Sequence, residues 1–490
     1  METGKPARSR DTLDRRHEGI ESKVEGFNDR ARRALEDEFL HESVARFTKK
    51  SVASRQAALE RLPEAPELRE TAYRIKQETM ANLDRYLEQL AGAVEERGGK
   101  VFFASDGEEV VNYVGELARR RGSKVVTKSK SMATEEIELN RRLEESYGEL
   151  GLEIIETDLG EWIAQLAGDH PSHIVAPIVH MNRHQIADVL SGVAGEALPP
   201  NVEDLLQFAR KRLREKFLAA DIGITGVNFG VAETGTICTV TNEGNGRLVS
   251  SVPPVHVAVM GIEKVIPKLE DLSVFTRILG RSSTGQDLSV YTNLVTGPRQ
   301  EGELDGPEEF HLILMDNGRS DLLGTEFEEA LYCIRCGACL NVCPVYRQTG
   351  GHAYGSTYSG PIGAVITPLL KGNEEAKDLP HASSLCGACT EACPVGIPLH
   401  ELLLKLRNRQ VDEGLAGKGQ SVAFKGFENT MKSPALYKIS GKVGRMAQKP
   451  LVKDGKIGRK LPGPLAGWTG TRDLPALAKK PFRELWREGI

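Results

Sequence analysis

The stretch Cys333-Ile-Arg-Cys336-Gly-Ala-Cys339-Leu-Asn-Val-Cys343-Pro344 decides how the second half of this chain folds. Its spacing is C-x2-C-x2-C-x3-C-P, the pattern by which bacterial ferredoxins hold iron–sulfur clusters. A second run, Cys386-Gly-Ala-Cys389-Thr-Glu-Ala-Cys393-Pro394, follows it. Seven of the 8 cysteines lie in these two runs, so chance is a poor explanation of their spacing.

The two runs are an internal repeat, because CGACLNVCPV (336–345) aligns with CGACTEACPV (386–395) at an offset of 50 residues. In two-cluster proteins the fourth cysteine of each run binds the other cluster. This rule predicts two ligand sets: Cys333, Cys336, Cys339 and Cys393 for cluster 1, and Cys343, Cys386 and Cys389 for cluster 2. The same offset carries Cys333 onto Ser383, so cluster 2 has only three thiolates.

The fourth position of cluster 2 leaves three alternatives open. The cluster is a three-iron [3Fe-4S] cluster, or it is a [4Fe-4S] cluster whose last iron binds water, Ser383 or another oxygen. The eighth cysteine, Cys238, is the remaining candidate, although a small buried cysteine is the common case. We therefore expect two [4Fe-4S] clusters. If no ligand binds the fourth iron of cluster 2, that cluster is expected to be [3Fe-4S] instead.

Structural zinc and disulfide bonds are poorer explanations of these cysteines. Zinc sites usually take four ligands in C-x2-C pairs, and neither seven cysteines nor two Cys-Pro endings fit that pattern. An odd number of cysteines cannot all pair as disulfides, and no signal peptide is visible. The spacing therefore favours iron–sulfur chemistry.

The composition is that of a globular protein with more than one domain. The chain has 490 residues, of which 40% are hydrophobic and 27% charged, and this length predicts two or three domains. No apolar run approaches the length needed to span a bilayer. A polar segment follows Met1, so we expect a cytoplasmic protein. The sequence contains no aromatic-rich basic module, so we do not expect it to bind nucleic acid.

Charge is unevenly distributed along the chain. Residues 411–490 contain 16 Lys and Arg against 7 Asp and Glu, so this region carries +9 in a chain whose net charge is −5. A basic tail on an acidic body suggests docking to an acidic partner or peripheral binding at a membrane surface. A solvated tail with no special role is an equally good interpretation.

Strands alternate with helices through the first 320 residues, which predicts an α/β fold with a parallel sheet. A long helix is expected over 67–98, and Asp106 and Gly122 are the expected cap and end of the helix after the first strand. Short apolar or Gly/Thr-rich runs predict strands at 100–104, 124–127, 152–157, 173–177, 227–232, 236–241, 255–260 and 311–315.

Helices flank both cysteine runs, at 327–331, 362–370 and 399–408, so the cysteine part is predicted to be a helical ferredoxin module. The chain is thus expected to comprise an N-terminal helical arm (1–66), an α/β domain (67–320), the module with both clusters (321–410) and a basic C-terminal region (411–490).

Several stretches together resemble the lactate utilization protein B family, the iron–sulfur proteins of bacterial L-lactate oxidation. The resemblance covers most of the chain and rests on these motifs: KSKSMATEEIELN (128–140), GVNFGVAETGTI (226–237), VTNEGNGRL (240–248), HVAVMGIEKVIP (256–267) and both cysteine runs.

This resemblance implies that the α/β part is a LUD domain, related in fold to sugar-phosphate isomerases and CoA transferases. It implies that the chain carries electrons when L-lactate is oxidised to pyruvate, in a complex with lactate utilization proteins A and C. Two four-iron clusters are usual in the family, although one has three cysteines.

Two other interpretations of the function stand beside electron transfer. The LUD domain itself has candidate groups for a hydroxy acid or acyl substrate: Glu233 as a carboxylate nucleophile, His180, His184 and His256 as acid–base or binding groups, and Lys128 and Lys130 as carboxylate binders. Alternatively the clusters serve structure only. A glutamate beside Thr-Gly is more often a hydrogen-bond anchor, and a fold alone does not carry catalysis.

Overall fold

The computed structural model describes residues 26–415, 417–457, 469 and 472–489. The chain forms two compact units, divided between Arg409 and Gln410. The α/β domain and the cysteine module lie in the first unit. The four-part division predicted from the sequence stays a prediction.

Four helices open the described chain: α1 (Phe27–Glu36), α2 (Glu38–Glu60), α3 (Ala65–Ala81) and α4 (Leu83–Glu96). The single helix expected over 67–98 is therefore two helices. The break falls at Asn82, whose side-chain amide donates to the Glu78 carbonyl oxygen at 3.0 Å. Such local side-chain hydrogen bonds compete with the helical pattern.

A six-stranded parallel sheet forms the centre of the α/β domain and confirms the predicted fold class. Its spatial order is β1-β10-β7-β4-β2-β3. A second sheet has the order β8-β5-β6-β9. The strands are β1 (Lys100–Ala104), β2 (Val125–Lys128), β3 (Glu153–Glu156), β4 (Ile222–Gly226), β5 (Phe229–Val231), β6 (Thr236–Thr241), β7 (Val255–Gly261), β8 (Val265–Ile266), β9 (Tyr291–Val295) and β10 (Glu309–Met315).

Helices cover both faces of the six-stranded sheet. Asp106 caps the first by accepting hydrogen bonds from the amides of Glu108 and Glu109, and Gly122 ends it in the left-handed region, as predicted. The helices are α5 (Gly107–Arg121), α6 (Met132–Glu136), α7 (Leu139–Tyr147), α8 (Leu159–Ala167), α9 (Arg183–Ala194), α10 (Val202–Ala219), α11 (Asn245–Ser251) and α12 (Leu269–Ser283).

The strand predicted at 173–177 is wrong, because this segment has no regular structure. His173 is buried there, and its Nδ1 accepts hydrogen bonds from the backbone amides of Val175 and Ala176. Those amides are thus satisfied locally and are not offered to a neighbouring strand. Farther back in the chain, Glu138 separates the helices Met132–Glu136 and Leu139–Tyr147, and its φ is 51°.

The cysteine module is helical, as predicted, with α13 (Ala338–Val342), α14 (Tyr346–Thr349), α15 (Gly360–Lys371), α16 (Ala388–Ala392) and α17 (Leu399–Asp412). The segment predicted as a helix at 327–331 is a 3₁₀ helix over Glu328–Tyr332. The module packs on the N-terminal helices, and one hydrophobic core joins these helices, the four-stranded sheet and the module.

The second unit contains α18 (Lys418–Lys432), α19 (Pro434–Gln448) and α20 (Phe482–Arg487), with three two-residue strands, Val452–Lys453, Lys456–Ile457 and Leu474–Pro475. Within the described part of the chain, no helix is both long enough and apolar enough to cross a membrane.

Candidate functional site

Both cysteine runs adopt the same backbone path, so the sequence repeat is also a structural repeat. Gly337 and Gly387 occupy the left-handed region at φ 75° and 82° and start α13 and α16. The residues two positions earlier, Arg335 and Leu385, have φ of 58° and 54°. An L-residue rarely adopts such angles, and finding them at both equivalent positions indicates a tightly constrained turn.

Cys333, Cys336, Cys339 and Cys393 line one small cavity whose other walls are mainly apolar. Each of the thiols of Cys336, Cys339 and Cys393 interacts electrostatically with Cys333. Three of these four cysteines come from the first run and the fourth from the second. The tertiary structure therefore brings together the set that the crossed rule predicts for cluster 1.

Backbone N–H groups point at the sulfur atoms of this set. The amide of Arg335 donates to Cys333 Sγ at 3.4 Å, and the amide of Ala338 faces Cys336. Burial, and then the neighbouring thiol of Cys393, raises the pKa of Cys336 to about 12. A buried thiolate needs a compensating cation, and the irons of a cluster supply one. The donor set and its surroundings thus fit an iron–sulfur cluster.

Cys343, Cys386 and Cys389 form the second group. Cys389 interacts electrostatically with both Cys343 and Cys386. The amide of Tyr346 donates to Cys343 Sγ at 3.5 Å. Cys343 and Cys389 are buried, whereas Cys386 is exposed, and hydrogen bonds from the Ala388 amide and a serine hydroxyl lower its pKa. This second group therefore lies nearer to solvent than the first.

Ser383 takes the position in the second run that Cys333 has in the first. The Leu385 amide donates to Ser383 Oγ at 3.1 Å, as the Arg335 amide does to Cys333 Sγ at 3.4 Å. The hydroxyl oxygen thus replaces the thiol sulfur at the equivalent point of the turn.

Cys238 stands apart from the seven clustered cysteines. It lies in β6, opposite Phe229 of β5, and is fully buried. Burial alone raises its pKa to about 12, with no contribution from another cysteine. Its surroundings are those of a core residue.

Cations from distant parts of the chain lie beside the first group of cysteines, and the sequence analysis missed them. Arg69 of α3 donates to the carbonyl oxygens of Cys393 at 2.8 Å and Thr390 at 3.0 Å. Lys264 Nζ donates to the Cys333 carbonyl oxygen at 3.0 Å. These residues hold the loops of the module, and their charge favours an anionic thiolate-ligated cluster. No local pattern distinguishes them from surface cations.

A buried ion-pair network lies beside the same module. Arg319, 1% exposed, donates from Nε to Glu263 at 2.7 Å and from Nη2 to Glu136 at 2.7 Å. Tyr358 of the module donates to Glu136 at 2.5 Å. The network therefore ties the LUD part to the cysteine module.

The remaining predicted residues are not brought together into one site. Glu233 is exposed and accepts a hydrogen bond from the Leu269 amide at the start of α12. His184 is exposed on α9. His256 is buried in β7 beside Thr225, and burial lowers its pKa to about 3.

The two predicted lysines and His180 have carboxylate partners. Lys128 is fully buried between Glu135 and Glu156, at 2.6 and 2.7 Å. Lys130 pairs with Glu161. His180, Asp169 and His352 place one possible metal-ligand atom each within 4.8 Å of the others.

Three family models match successive parts of the chain. A LUD domain matches residues 87–315, a 4Fe-4S dicluster domain matches 329–397, and the C-terminal domain of lactate utilisation protein B matches 407–489. Their order is that of the α/β sheet, the cysteine module and the second unit.

Curated relatives align along nearly the whole chain. Lactate utilization protein B of Shouchella clausii is 50% identical over 94% of this chain and 96% of its own length. The proteins of the same name from Bacillus cytotoxicus and Bacillus licheniformis are each 50% identical over 94% of this chain, covering 97% and 96% of their own lengths.

Among solved structures, a DUF162 family protein from Deinococcus radiodurans is 12% identical and covers 48% of this chain and 98% of its own. Its TM-score of 0.26 is too low to carry an argument.

Proposed function

Because the chain belongs to the lactate utilization protein B family, we propose that it is the iron–sulfur electron-transfer subunit of L-lactate oxidation to pyruvate. Lactate utilization proteins A and C are its proposed partners. The family and the 4Fe-4S dicluster domain assign it a role in lactate utilization with an iron–sulfur cofactor. To this role we add three proposals of our own: the reaction, the partners and the number of clusters.

One observation supports a two-cluster relay most directly, namely the crossed sorting of seven cysteines into a group of four and a group of three. When bound, each cluster accepts and releases one electron. Cys339 lies in the short helix α13 and Cys343 directly follows it, but the two cysteines belong to different groups. The two proposed clusters are thus linked by a single turn of chain, which favours electron transfer between them.

The exposure of the two groups suggests a direction for the relay. The cluster 1 cysteines are buried or half-buried beside the LUD part, whereas Cys386 of cluster 2 is exposed. We propose that cluster 2 faces the redox partner and that cluster 1 is the internal centre. Apolar neighbours such as Ile362 and Leu399 keep water away from cluster 1.

The relay is tested on anaerobically purified full-length protein by iron and sulfide analysis with EPR before and after dithionite reduction. Two [4Fe-4S] clusters give about eight irons per chain and signals of two interacting centres. The double variant Cys336→Ser/Cys389→Ser is expected to lose lactate-dependent electron transfer to an acceptor. The control Cys238→Ala removes a cysteine outside both groups and should keep both signals. The relay is contradicted if the double variant still transfers electrons, or if the purified protein contains zinc in place of iron. If the double variant no longer assembles with its partners, the clusters have a purely structural role.

We further propose that the Ser383 oxygen completes cluster 2. The proposal is supported by its equivalence to Cys333 in the structural repeat and by the matching amide hydrogen bonds. Ser383→Ala is expected to give about seven irons and the EPR signal of a three-iron cluster in the oxidised protein, whereas Ser383→Cys keeps about eight irons. The control Ser273→Ala removes an exposed hydroxyl of α12, outside the cysteine module, and should keep about eight irons. About eight irons in Ser383→Ala would exclude Ser383 as the ligand and point to water.

A further inference from the structure

A cavity of about 250 Å³ lies at the carboxyl ends of β2, β4 and β7, and it shares Arg335 with the small cavity of Cys333, Cys336, Cys339 and Cys393. Its walls include residues at or just after the ends of these three strands: Ser129–Ala133, Gly226–Asn228, Gly261, Glu263 and Lys264. Arg335 and Tyr358 of the cysteine module close another side. In open α/β sheets, ligands bind in the crevice outside the carboxyl ends of the strands.

Arg335 is the most informative residue of this cavity. It is only 9% exposed, and within the described chain its Nη1 and Nη2 have no hydrogen-bond partner. Its guanidinium lies 4.5 Å from the centre of the Tyr358 ring, and Nη2 lies 3.5 Å from Glu263. A buried guanidinium with free N–H groups is costly unless a ligand satisfies them. Two N–H groups on one edge match the two oxygens of a carboxylate.

The charges that line the cavity fall into two groups. Arg335, Lys264 and Arg319 lie beside two carboxylates, Glu263 and Glu136, so this group carries excess positive charge. Asp158 and Glu243 lie at the other end, where Lys130 is the neighbouring cation.

Uncharged polar side chains also line the cavity, among them Thr239, Thr241 and Asn228. The cavity thus offers a carboxylate site followed by hydrogen-bonding groups. Two acidic side chains at the far end disfavour a second negative charge, which argues against a phosphate dianion or a nucleotide.

We propose that this cavity binds a small organic acid with one carboxylate and a hydroxyl or oxo group, and that Arg335 holds the carboxylate. Arg335 stands between Cys333 and Cys336 in the chain, so a ligand on its guanidinium lies beside cluster 1. The proposed site is distinct from the cysteine groups and goes beyond the electron-transfer function.

Isothermal titration calorimetry on the anaerobic, cluster-loaded full chain tests the site. L-lactate and pyruvate are the charged probes, lactamide is the neutral analogue, and inorganic phosphate tests the alternative anion. We expect at least one carboxylate to bind and lactamide not to bind. Arg335→Gln should weaken binding by roughly tenfold to a hundredfold. The control Arg120→Gln changes an exposed arginine of α5 and should bind as the unaltered protein does.

Because Arg335 adjoins two cysteines, its variant is checked for iron content. If iron falls, the cavity-filling variant Thr239→Phe is the deciding test, since Thr239 belongs to β6 and is not part of either cysteine run. The proposal expects Thr239→Phe to abolish binding and the ligand to alter the EPR signal of cluster 1. It is overturned if no carboxylate binds, if Thr239→Phe binds normally, or if phosphate binds in place of the acids. If no organic acid binds but the iron content and EPR signals are normal, the cavity proposal fails and the electron-transfer proposal stands.

Discussion

Replacing Arg319 by methionine should destabilise the first unit strongly, since its side chain neutralises two buried carboxylates. The guanidinium makes hydrogen bonds of 2.7 Å to Glu263, of 2.9 and 2.7 Å to Glu136, and of 2.9 Å to the Asp316 carbonyl oxygen. Methionine keeps much of the volume and removes the charge.

The expected loss follows from what remains around the two carboxylates. Glu136 keeps hydrogen bonds from Asn317 and Tyr358, and Glu263 keeps Arg335 at 3.5 Å and Lys264 at 3.9 Å. Breaking a buried ion pair on one side costs about 3–5 kcal/mol of unfolding free energy. We expect a loss in this range.

The assay is anaerobic urea unfolding followed by the fluorescence of Trp162, which is buried in the α/β domain. The control Arg61→Met removes an exposed cation that pairs with Asp287 at 2.9 Å and donates to the Ala57 carbonyl oxygen at 3.0 Å, and it should cost at most about 1 kcal/mol. A loss for Arg319→Met no larger than that of the control would refute the reasoning.

The double variant Arg319→Met/Glu136→Gln separates lost charge from lost packing. If an uncompensated carboxylate is the cause, removing the charge of Glu136 should restore part of the stability. If packing is the cause, the double variant should be no more stable than Arg319→Met.

The same ion-pair network predicts that the folded protein loses stability at low pH. Burial by itself would raise the pKa of Glu263, but attraction to Arg319 and the neighbouring cations lowers it to about 2. A carboxyl whose pKa is lower in the folded state stabilises the protein above its unfolded pKa of about 4.3. This contribution should be lost as the pH falls from about 4.3 towards 2, and Glu263→Gln should remove that part of the pH dependence.

Three further predictions concern buried groups. Burial, with nearby His311, lowers the pKa of His256 to about 3, so the unfolded chain takes up its proton first as the pH falls. Between about pH 6.5 and 3 the folded state should therefore lose roughly 1.4 kcal/mol of stability per pH unit. In His256→Phe, the midpoint of urea unfolding should depend less on pH. An unchanged pH dependence contradicts the burial argument. Gly223→Ala should prevent stable folding, because its Cβ would lie 1.9 Å from the Val249 carbonyl oxygen, whereas Gly192→Ala on α9 meets no atom within 4 Å and should be tolerated in the same thermal melt. Arg69→Met removes two hydrogen bonds to the cluster 1 loop and should shift that cluster's reduction potential, while Arg74→Met, on the same helix but exposed, should leave the potential unchanged in a redox titration followed by EPR.

Sequence patterns predicted those features that depend on neighbouring residues. The cap at Asp106 and the helix end at Gly122 follow from short-range backbone geometry, so spacing and residue type suffice to locate them. Strands β7 and β10 were found because a buried parallel strand is a continuous apolar run. The strand predicted at 173–177 failed because a histidine ring satisfied the backbone locally.

The sequence by itself determined the parallel α/β class, the helical cysteine module and the repeat that pairs Ser383 with Cys333. Only the tertiary structure decided that β10 lies between β1 and β7 and that Arg69 reaches the cluster 1 loop. It also decided that Arg335 faces the cavity at the end of the LUD sheet. The physical reason is distance along the chain: turns and caps are made by neighbours, whereas a buried charge takes its partners from segments hundreds of residues away, and no local pattern encodes which segments will meet.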